Sequence, residues 1–176
     1  MNDSVSVASS APDATAEVAG FSVSPAGWLE AAFSRVARNQ MCELPFYRAG
    51  IQVQACGFTL FEQQWVGCLL TPWTLSLLVL PGPGQIWRPQ MPGERLALQL
   101  PCGNVTFLSG EIADDSGNAR QYLSCSLMSP LDSSLTPAQA VTLAQQSARM
   151  ALSLPVLNTD HPTDLSRREL FRRRSE

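Results

Sequence analysis

The stretch TPWTLSLLVLPGPGQIWRP, residues 71–89, decides how this chain folds. It continues an uncharged run that begins at Trp65, reaches Leu80 after 16 residues and is broken by Pro72. A membrane-spanning helix needs about 20 mostly apolar residues, so the run is too short and too interrupted to cross a bilayer. Its length and composition instead predict a buried, central β-strand over residues 75–80, which the PGPG turn ends.

The flanking segments have the pattern of short strands joined by tight turns. Residues 58–61 and 65–70 are apolar and enclose the polar tip 62–64, which predicts a β-hairpin. Further strands are predicted over residues 96–100, 105–112 and 121–128, with turns at 101–104 and 114–118. Consecutive strands with such short connections favour antiparallel pairing.

Two helices are predicted outside the strand region. Ser24 and Pro25 form a start signal for a helix that runs to about Cys42. Thr136 and Gln139 form a capping box for a second helix, which Pro155 ends and whose apolar faces include Met150 and Leu154. The predicted fold class is therefore α+β: a mainly antiparallel sheet of about six short strands packed with an N-terminal and a C-terminal helix.

The chain is predicted to have one folded domain between two polar ends. Residues 1–19 are small and polar and are expected to be disordered. Residues 20–157 form the α+β domain, and residues 158–176 form a Pro- and Arg-rich tail. The start of the chain has neither the basic nor the apolar region of a signal peptide, so we expect a cytoplasmic protein without membrane insertion.

The charge distribution indicates what kind of partner the domain suits. The net charge is −3, but residues 167–176 hold five arginines and two acids, which makes that segment +3 and residues 1–166 −6. The chain contains no lysine. A mildly acidic body argues against a nucleic-acid partner, which requires a basic face, and suits a basic peptide.

The residues needed for common catalytic and metal sites are missing from the pattern. His161 is the single histidine, so a Ser-His-Asp hydrolase would depend on it. A P-loop needs a lysine, and this chain has none, so a nucleotide-binding site of that kind is not expected. The five cysteines form no CxxC pair, although zinc and iron–sulfur sites usually show paired ligands. We therefore expect a non-enzymatic protein without a cofactor or a bound metal.

Several long motifs are similar to those of one known family. They are FTLFEQQWVGCLLTPW (58–73), LVLPGPGQIW (78–87) and QYLSCSLMSPL (121–131), supported by GFSVSPAGWLEAAF, LALQLPCGNVTF and ARMALSLP. Together they closely resemble the HybE/HupJ family of [NiFe]-hydrogenase assembly chaperones. The resemblance covers residues 20–174 in order and without large gaps.

The resemblance implies a cytoplasmic accessory chaperone for a membrane-bound hydrogenase. The implied partners are the hydrogenase small-subunit precursor with its twin-arginine signal peptide and, as a further partner, the large-subunit precursor. The implied role is to hold a precursor and delay its export until assembly is complete. Some relatives are fused to rubredoxin-like modules, but without a CxxC pair this chain should not bind iron in that way.

A binder of such a signal needs an apolar groove with acidic groups at one end. Candidate carboxylates are Glu62, Glu94 and Glu111, and the aromatic candidates stand near proline-rich turns. The predicted partner-binding residues are Phe61, Glu62, Trp65, Trp73 and Trp87. Core packing is the alternative for the tryptophans, and a solvated hairpin tip is the alternative for Glu62.

A second function remains open from the residues alone. Cys68 and Cys125 lie in two of the motifs, and on adjacent strands they would offer a two-thiolate site to an iron or cluster carrier or a thiol-redox protein. The other interpretation is two buried thiols. Ser124 and Ser126 give the last strand a polar face that is predicted to accept an added peptide.

The C-terminal tail contains one more motif. Residues 166–171, SRRELF, resemble a twin-arginine box but lack a following apolar stretch. One hypothesis is that the tail occupies the site meant for the partner's signal. The alternative is a solvated basic tail.

Overall fold

The computed structural model describes residues 18–113, 117 and 119–154. Several predictions therefore lie outside the described residues. These are the disorder of residues 1–17, most of the turn at 114–118, the helix stop at Pro155, and the roles of His161 and of the arginine-rich tail.

A six-stranded antiparallel sheet forms the centre of the described chain. Its strands are β2 (Gln54–Phe61), β3 (Gln64–Leu70), β4 (Leu75–Pro81), β6 (Arg95–Leu100), β7 (Gly103–Ala113) and β8 (Ala119–Met128). The spatial order is β2-β3-β4-β8-β7-β6. The α+β class and the interior position of β4 are confirmed, because β4 pairs on both sides and is buried along almost its whole length.

Two very short strands add a separate ladder. Strand β1 (Val18–Ala19) pairs antiparallel with β5 (Ile86–Trp87), and Val18 lies opposite Trp87. The prediction that residues 1–19 lack structure is therefore wrong for Val18 and Ala19. Strand β5 carries Trp87, which packs against the core of the main sheet.

The hairpin between β2 and β3 has a two-residue turn instead of the predicted three-residue tip. Glu62 and Gln63 have φ values of 46° and 60°. Two consecutive residues with positive φ suit the right-handed twist of a tight hairpin. Gln64 consequently belongs to β3, where its side chain points to the same face as that of its partner Phe61.

The two predicted helices are present. Helix α1 covers Ala26–Val36 and continues as a π-helical turn over Ala37–Met41, while α2 covers Pro137–Ala151. Pro25 precedes the helix, and Oγ of Ser24 accepts a long hydrogen bond of 3.5 Å from the N–H of Ala26, so the hydroxyl lies at the start of α1 as predicted. In the described part of the chain, neither helix is long and apolar enough to cross a bilayer.

The capping box of α2 is confirmed by both of its hydrogen bonds. The backbone N–H of Gln139 donates to Oγ1 of Thr136 at 3.2 Å, and the N–H of Thr136 donates to Oε1 of Gln139 at 2.9 Å. These bonds satisfy two donors that the first turn of a helix otherwise leaves unpaired.

The helices lie on opposite faces of the sheet. On one face α1 inserts Leu29 against Leu69, Leu78 and Leu80. On the other face α2 packs mainly on β2 and β3. Its buried positions are all alanines: Ala140, Ala144, Ala148 and Ala151. Such small side chains let the helix approach the strands closely.

The prediction that Met150 and Leu154 belong to the apolar, packed faces of α2 is wrong. Met150 is 69% exposed and Leu154 is 77% exposed. The end of α2 instead meets the β6–β7 turn, where the N–H of Cys102 donates to the carbonyl of Ala151 at 3.4 Å. Because α2 covers mainly β2 and β3, part of the same face remains open near β5 and β6.

Candidate functional site

The open part of the sheet forms an apolar groove between β5 and β6. Its volume is about 360 Å³. The apolar lining consists of Val79, Ile86, Trp87, Leu96, Leu98 and Leu123. Three polar residues, Gln64, Arg88 and Gln90, complete it. We call this feature the Trp87 groove.

The groove follows from strand alternation and from the position of β6. Val79 and Leu123 are directly opposite on β4 and β8, so their side chains share the face that carries α2. Leu96 and Leu98 alternate with exposed residues along β6 and remain partly buried. In the part of the chain that the structure describes, β6 is the last strand of the sheet, so its leucines lie beside an unpaired edge.

A chain of hydrogen-bonded side chains fixes Trp87 in this groove. Nε1 of Trp87 donates to Oε1 of Gln64 at 3.0 Å, and Nε2 of Gln64 donates to Oε1 of Gln85 at 3.3 Å. Nε2 of Gln85 then donates to Oε1 of Gln63 at 2.9 Å. The indole is thereby linked to the hairpin tip, where the Glu62 side chain is exposed.

A buried glutamine holds the segment that follows β5. The Gln121 amide accepts a hydrogen bond from the N–H of Gln90 and donates one to its carbonyl, both at 3.0 Å. Gln121 is only 6% exposed, so both polar ends of its amide need such partners. These bonds hold the groove wall in place before any ligand arrives, which lowers the ordering cost of binding.

The structure brings together three of the five predicted partner-binding residues. Phe61 is partly buried on the α2 side and lies opposite Gln64, and Glu62 follows it at the hairpin tip. Trp87 is connected to the same tip through the glutamine chain. Their role in binding a partner stays a prediction.

The other two tryptophans lie elsewhere. Trp65 packs in the α1-side core, and its Nε1 donates to the carbonyl of Phe21 at 3.0 Å. Trp73 lies in the β3–β4 turn, at the opposite end of β4 from the groove, and stacks on Tyr47 with ring centroids 6.5 Å apart. The five predicted residues therefore do not form one continuous surface.

Of the nine residues that line the groove, only Trp87 was predicted from the sequence as a site residue, and the eight others were not. Ile86, Leu96 and Leu98 line it, and Gln64 orients Trp87. The alternating leucines of LALQL predicted a strand but gave no sign that this strand ends the sheet. Gln64 was assigned to the solvent-exposed tip, where its contact with Trp87 was not foreseeable.

The predicted contact between Cys68 and Cys125 is wrong. Cys68 lies opposite Leu77 on β4, and Leu77 lies opposite Cys125 on β8. A whole strand therefore stands between the two cysteines, so their backbones are roughly 10 Å apart. The residue that faces Cys68 is Cys56 on β2.

The facing thiols have the properties of core residues. Cys56 is 3% exposed and Cys68 is 0% exposed. Burial, with a smaller contribution from neighbouring Cys56, raises the pKa of Cys68 to about 12. A protonated thiol is a poor nucleophile and a poor metal ligand. Within the described residues, no group of three or more His, Cys, Asp or Glu side chains is placed to hold a metal ion.

The polar positions Ser124 and Ser126 do not lie at a free edge. Strand β8 pairs with β4 on one side and with β7 on the other. The prediction that this strand accepts an added peptide is therefore wrong. Of the remaining predicted carboxylates, Glu94 lies directly before β6, and Glu111 is exposed on β7.

Comparisons with known proteins agree with the family resemblance. Residues 24–173 match the family model described as "[NiFe]-hydrogenase assembly, chaperone, HybE". The hydrogenase-2 operon protein HybE of Escherichia coli K12 is 47% identical over 161 residues, which cover 92% of this chain and 97% of the relative. The hydrogenase expression/formation protein HoxT of Azotobacter vinelandii is 33% identical over 142 residues, which cover 79% and 89% of the two chains.

A solved structure shares both the fold and the sequence. The solution structure of HybE from Escherichia coli superposes with a TM-score of 0.64 at 46% identity, covering 91% of this chain and 96% of the other. A family match over most of the chain and a relative of this identity lead to the same conclusion. The chain belongs to the HybE family of [NiFe]-hydrogenase assembly chaperones.

Proposed function

We propose that this protein is a non-enzymatic cytoplasmic chaperone that binds the small-subunit precursor of a membrane-bound [NiFe]-hydrogenase. In this proposal it recognises the twin-arginine signal peptide and delays export until assembly is complete. The large-subunit precursor is a second proposed partner. The observation that carries the proposal is the preformed, apolar Trp87 groove beside the hairpin tip.

The groove suits the apolar part of a signal peptide. Burying one large aliphatic or aromatic side chain contributes about 1.5–3 kcal/mol. A few such side chains, less the cost of ordering the peptide, give a micromolar dissociation constant, which corresponds to about 8 kcal/mol. Binding of this strength is reversible, as release for export requires.

The hairpin tip supplies a carboxylate for the basic part of the signal. Glu62 stands two residues before Gln64, which lines the groove, and its side chain is exposed. A guanidinium can form two parallel hydrogen bonds with a carboxylate, whereas an ammonium acts as a point charge. Exposed pairs are weak, so Glu62 would contribute to selectivity more than to affinity.

The test is a calorimetric titration of the full chain with the small-subunit signal peptide and with its twin-lysine variant. We expect saturable micromolar binding that weakens when the arginines become lysines. The Glu62→Gln variant should reduce the difference between the two peptides, because it removes the charge that distinguishes them. The absence of saturable binding to either peptide would refute signal recognition.

A further inference from the structure

The last strand of the sheet has a regular edge without a partner in the described chain. The N–H of Ser109 donates to the carbonyl of Glu94 at 2.9 Å, and the N–H of Gly93 donates to the carbonyl of Ser109 at 2.8 Å. Ser109 thus directs its backbone groups toward β6. Because directions alternate along an antiparallel strand, Phe107 and Val105 do the same.

This alternation determines which groups of β6 face outward. Leu96 pairs with Phe107 and Leu98 pairs with Val105, so the two leucines direct their N–H and C=O groups toward β7. The intervening residue, Ala97, directs its N–H and C=O groups toward the free edge. Arg95 and Gln99 are oriented in the same way.

The opposite edge of the sheet is protected, which makes the edge of β6 distinctive. On β2 the N–H of Ala55 donates to Oε1 of Glu30 at 2.9 Å, and the register with β3 is interrupted between Cys56 and Thr59. Such a bulge and such a cap prevent further strand pairing. The pairing of β6 is continuous from Arg95 to Leu100, and its last five residues carry no charge.

We propose that the edge of β6 accepts an extended segment of the hydrogenase precursor as an added strand. This proposal rests on the proposed function and specifies how the precursor is held. In an added strand, the residues opposite Leu96 and Leu98 would direct their side chains to the groove face. The segment should therefore have apolar side chains at alternate positions.

Charge complementarity further specifies the segment. Arg88 lines the groove and Arg95 begins β6, and among the described residues neither guanidinium forms an ion pair. A carboxylate next to the apolar positions would match them, whereas a pair of arginines would be repelled. The added strand is accordingly a part of the precursor distinct from its twin-arginine pair. A second copy of β6 fits less well, because this strand contains no carboxylate.

The test uses Ala97→Pro with Ala97→Val as its matched control, and the intact small-subunit precursor as the ligand. Proline removes an outward N–H without removing a β6–β7 hydrogen bond, and it is tolerated on edge strands. Valine enlarges the side chain but keeps the N–H. Since one edge hydrogen bond and its geometry are lost, Ala97→Pro should weaken binding about tenfold, while Ala97→Val stays within about twofold of the unaltered chain.

The same titration separates the two levels of the proposal. If the unaltered chain does not bind the precursor, the proposed function fails. If the unaltered chain and Ala97→Pro bind equally well and both are folded, strand addition fails while the proposed function stands.

Arg95→Glu should weaken binding of the precursor about tenfold, because it replaces a matching charge by a repelling one. The matched control is Arg38→Glu, which changes an exposed arginine in the π-helical turn and should leave binding unchanged.

Hydrogen exchange identifies the occupant of the edge. The Ala97 amide should exchange rapidly in the free chain and become protected in the complex with the precursor. Protection that rises with the concentration of the free chain would show that a second copy occupies the edge, which would overturn the proposal. Protection that is lost on deleting residues 1–17 would assign the edge to the chain's own N-terminal segment and would overturn it equally.

Discussion

Replacement of Ile86 by glutamate is expected to abolish precursor binding and to leave the fold intact. Ile86 lines the Trp87 groove, yet it is 60% exposed in the free chain. A glutamate at this position remains hydrated until a partner covers it. The free energy of unfolding should therefore change by about 0.5 kcal/mol, as for ordinary surface substitutions.

The effect on binding is larger because two losses act together. A partner that covers the exposed 60% of Ile86 gains roughly 1.5 kcal/mol from it, since full burial of an isoleucine contributes up to about 3 kcal/mol. A carboxylate in the same place must also lose water as the partner covers it, at a cost of about 2 kcal/mol, and it would compete with the partner's carboxylate for Arg88. The combined loss corresponds to more than a hundredfold in the dissociation constant.

The measurement is calorimetry with the small-subunit precursor, together with urea unfolding of each variant. Met150→Glu is the matched control, because Met150 is 69% exposed and lies on α2 outside the groove lining. The control should bind like the unaltered chain. A folded Ile86→Glu variant that binds within threefold of the unaltered chain would refute the assignment of the groove as the binding site.

Two further predictions concern β2 and β3, the strands that α2 covers. Gly57 has φ 65°, and an added Cβ would lie 2.8 Å from Cβ of Ala148. Gly57→Ala should therefore lower the free energy of unfolding, measured by urea titration, by roughly 2 kcal/mol. An unchanged urea midpoint would contradict this account of the bulge in β2. Cys68 keeps its proton up to a pKa of about 12 in the folded chain but loses it near 9.0 when unfolded, so its contribution to stability should be complete below pH 9 and decline from pH 9 toward pH 12. Cys68→Ala should flatten this part of the stability profile, and identical profiles would indicate that the thiol is not buried in solution.

Much of the local structure was predictable because it depends on neighbouring residues. The apolar residues around Leu78 identified β4, and the Thr136–Gln139 capping box identified the start of α2. The hairpin at Glu62 was also recognisable from its polar tip. The Ser24–Pro25 signal likewise identified the start of α1, which begins at Ala26.

The candidate site was only partly predictable. Trp87 was identified from its position beside the PGPG turn, and the structure places it in the groove. Trp65 and Trp73 were also predicted as partner-binding residues, but they pack on the opposite face and at the opposite end of the sheet. The type of residue and its turn do not reveal which face or end it will occupy.

The sequence alone indicated the six strands of the main sheet, both helices and the family, since alternation, caps and long motifs are properties of contiguous residues. The tertiary structure decided which strands are neighbours. It places β4 between β3 and β8, which separates Cys68 from Cys125, and it places β8 between β4 and β7, which leaves β6 at the edge. Strand order depends on the packing of the whole sheet against both helices, and no local pattern encodes it. The groove beside Trp87 therefore exists only in the folded chain.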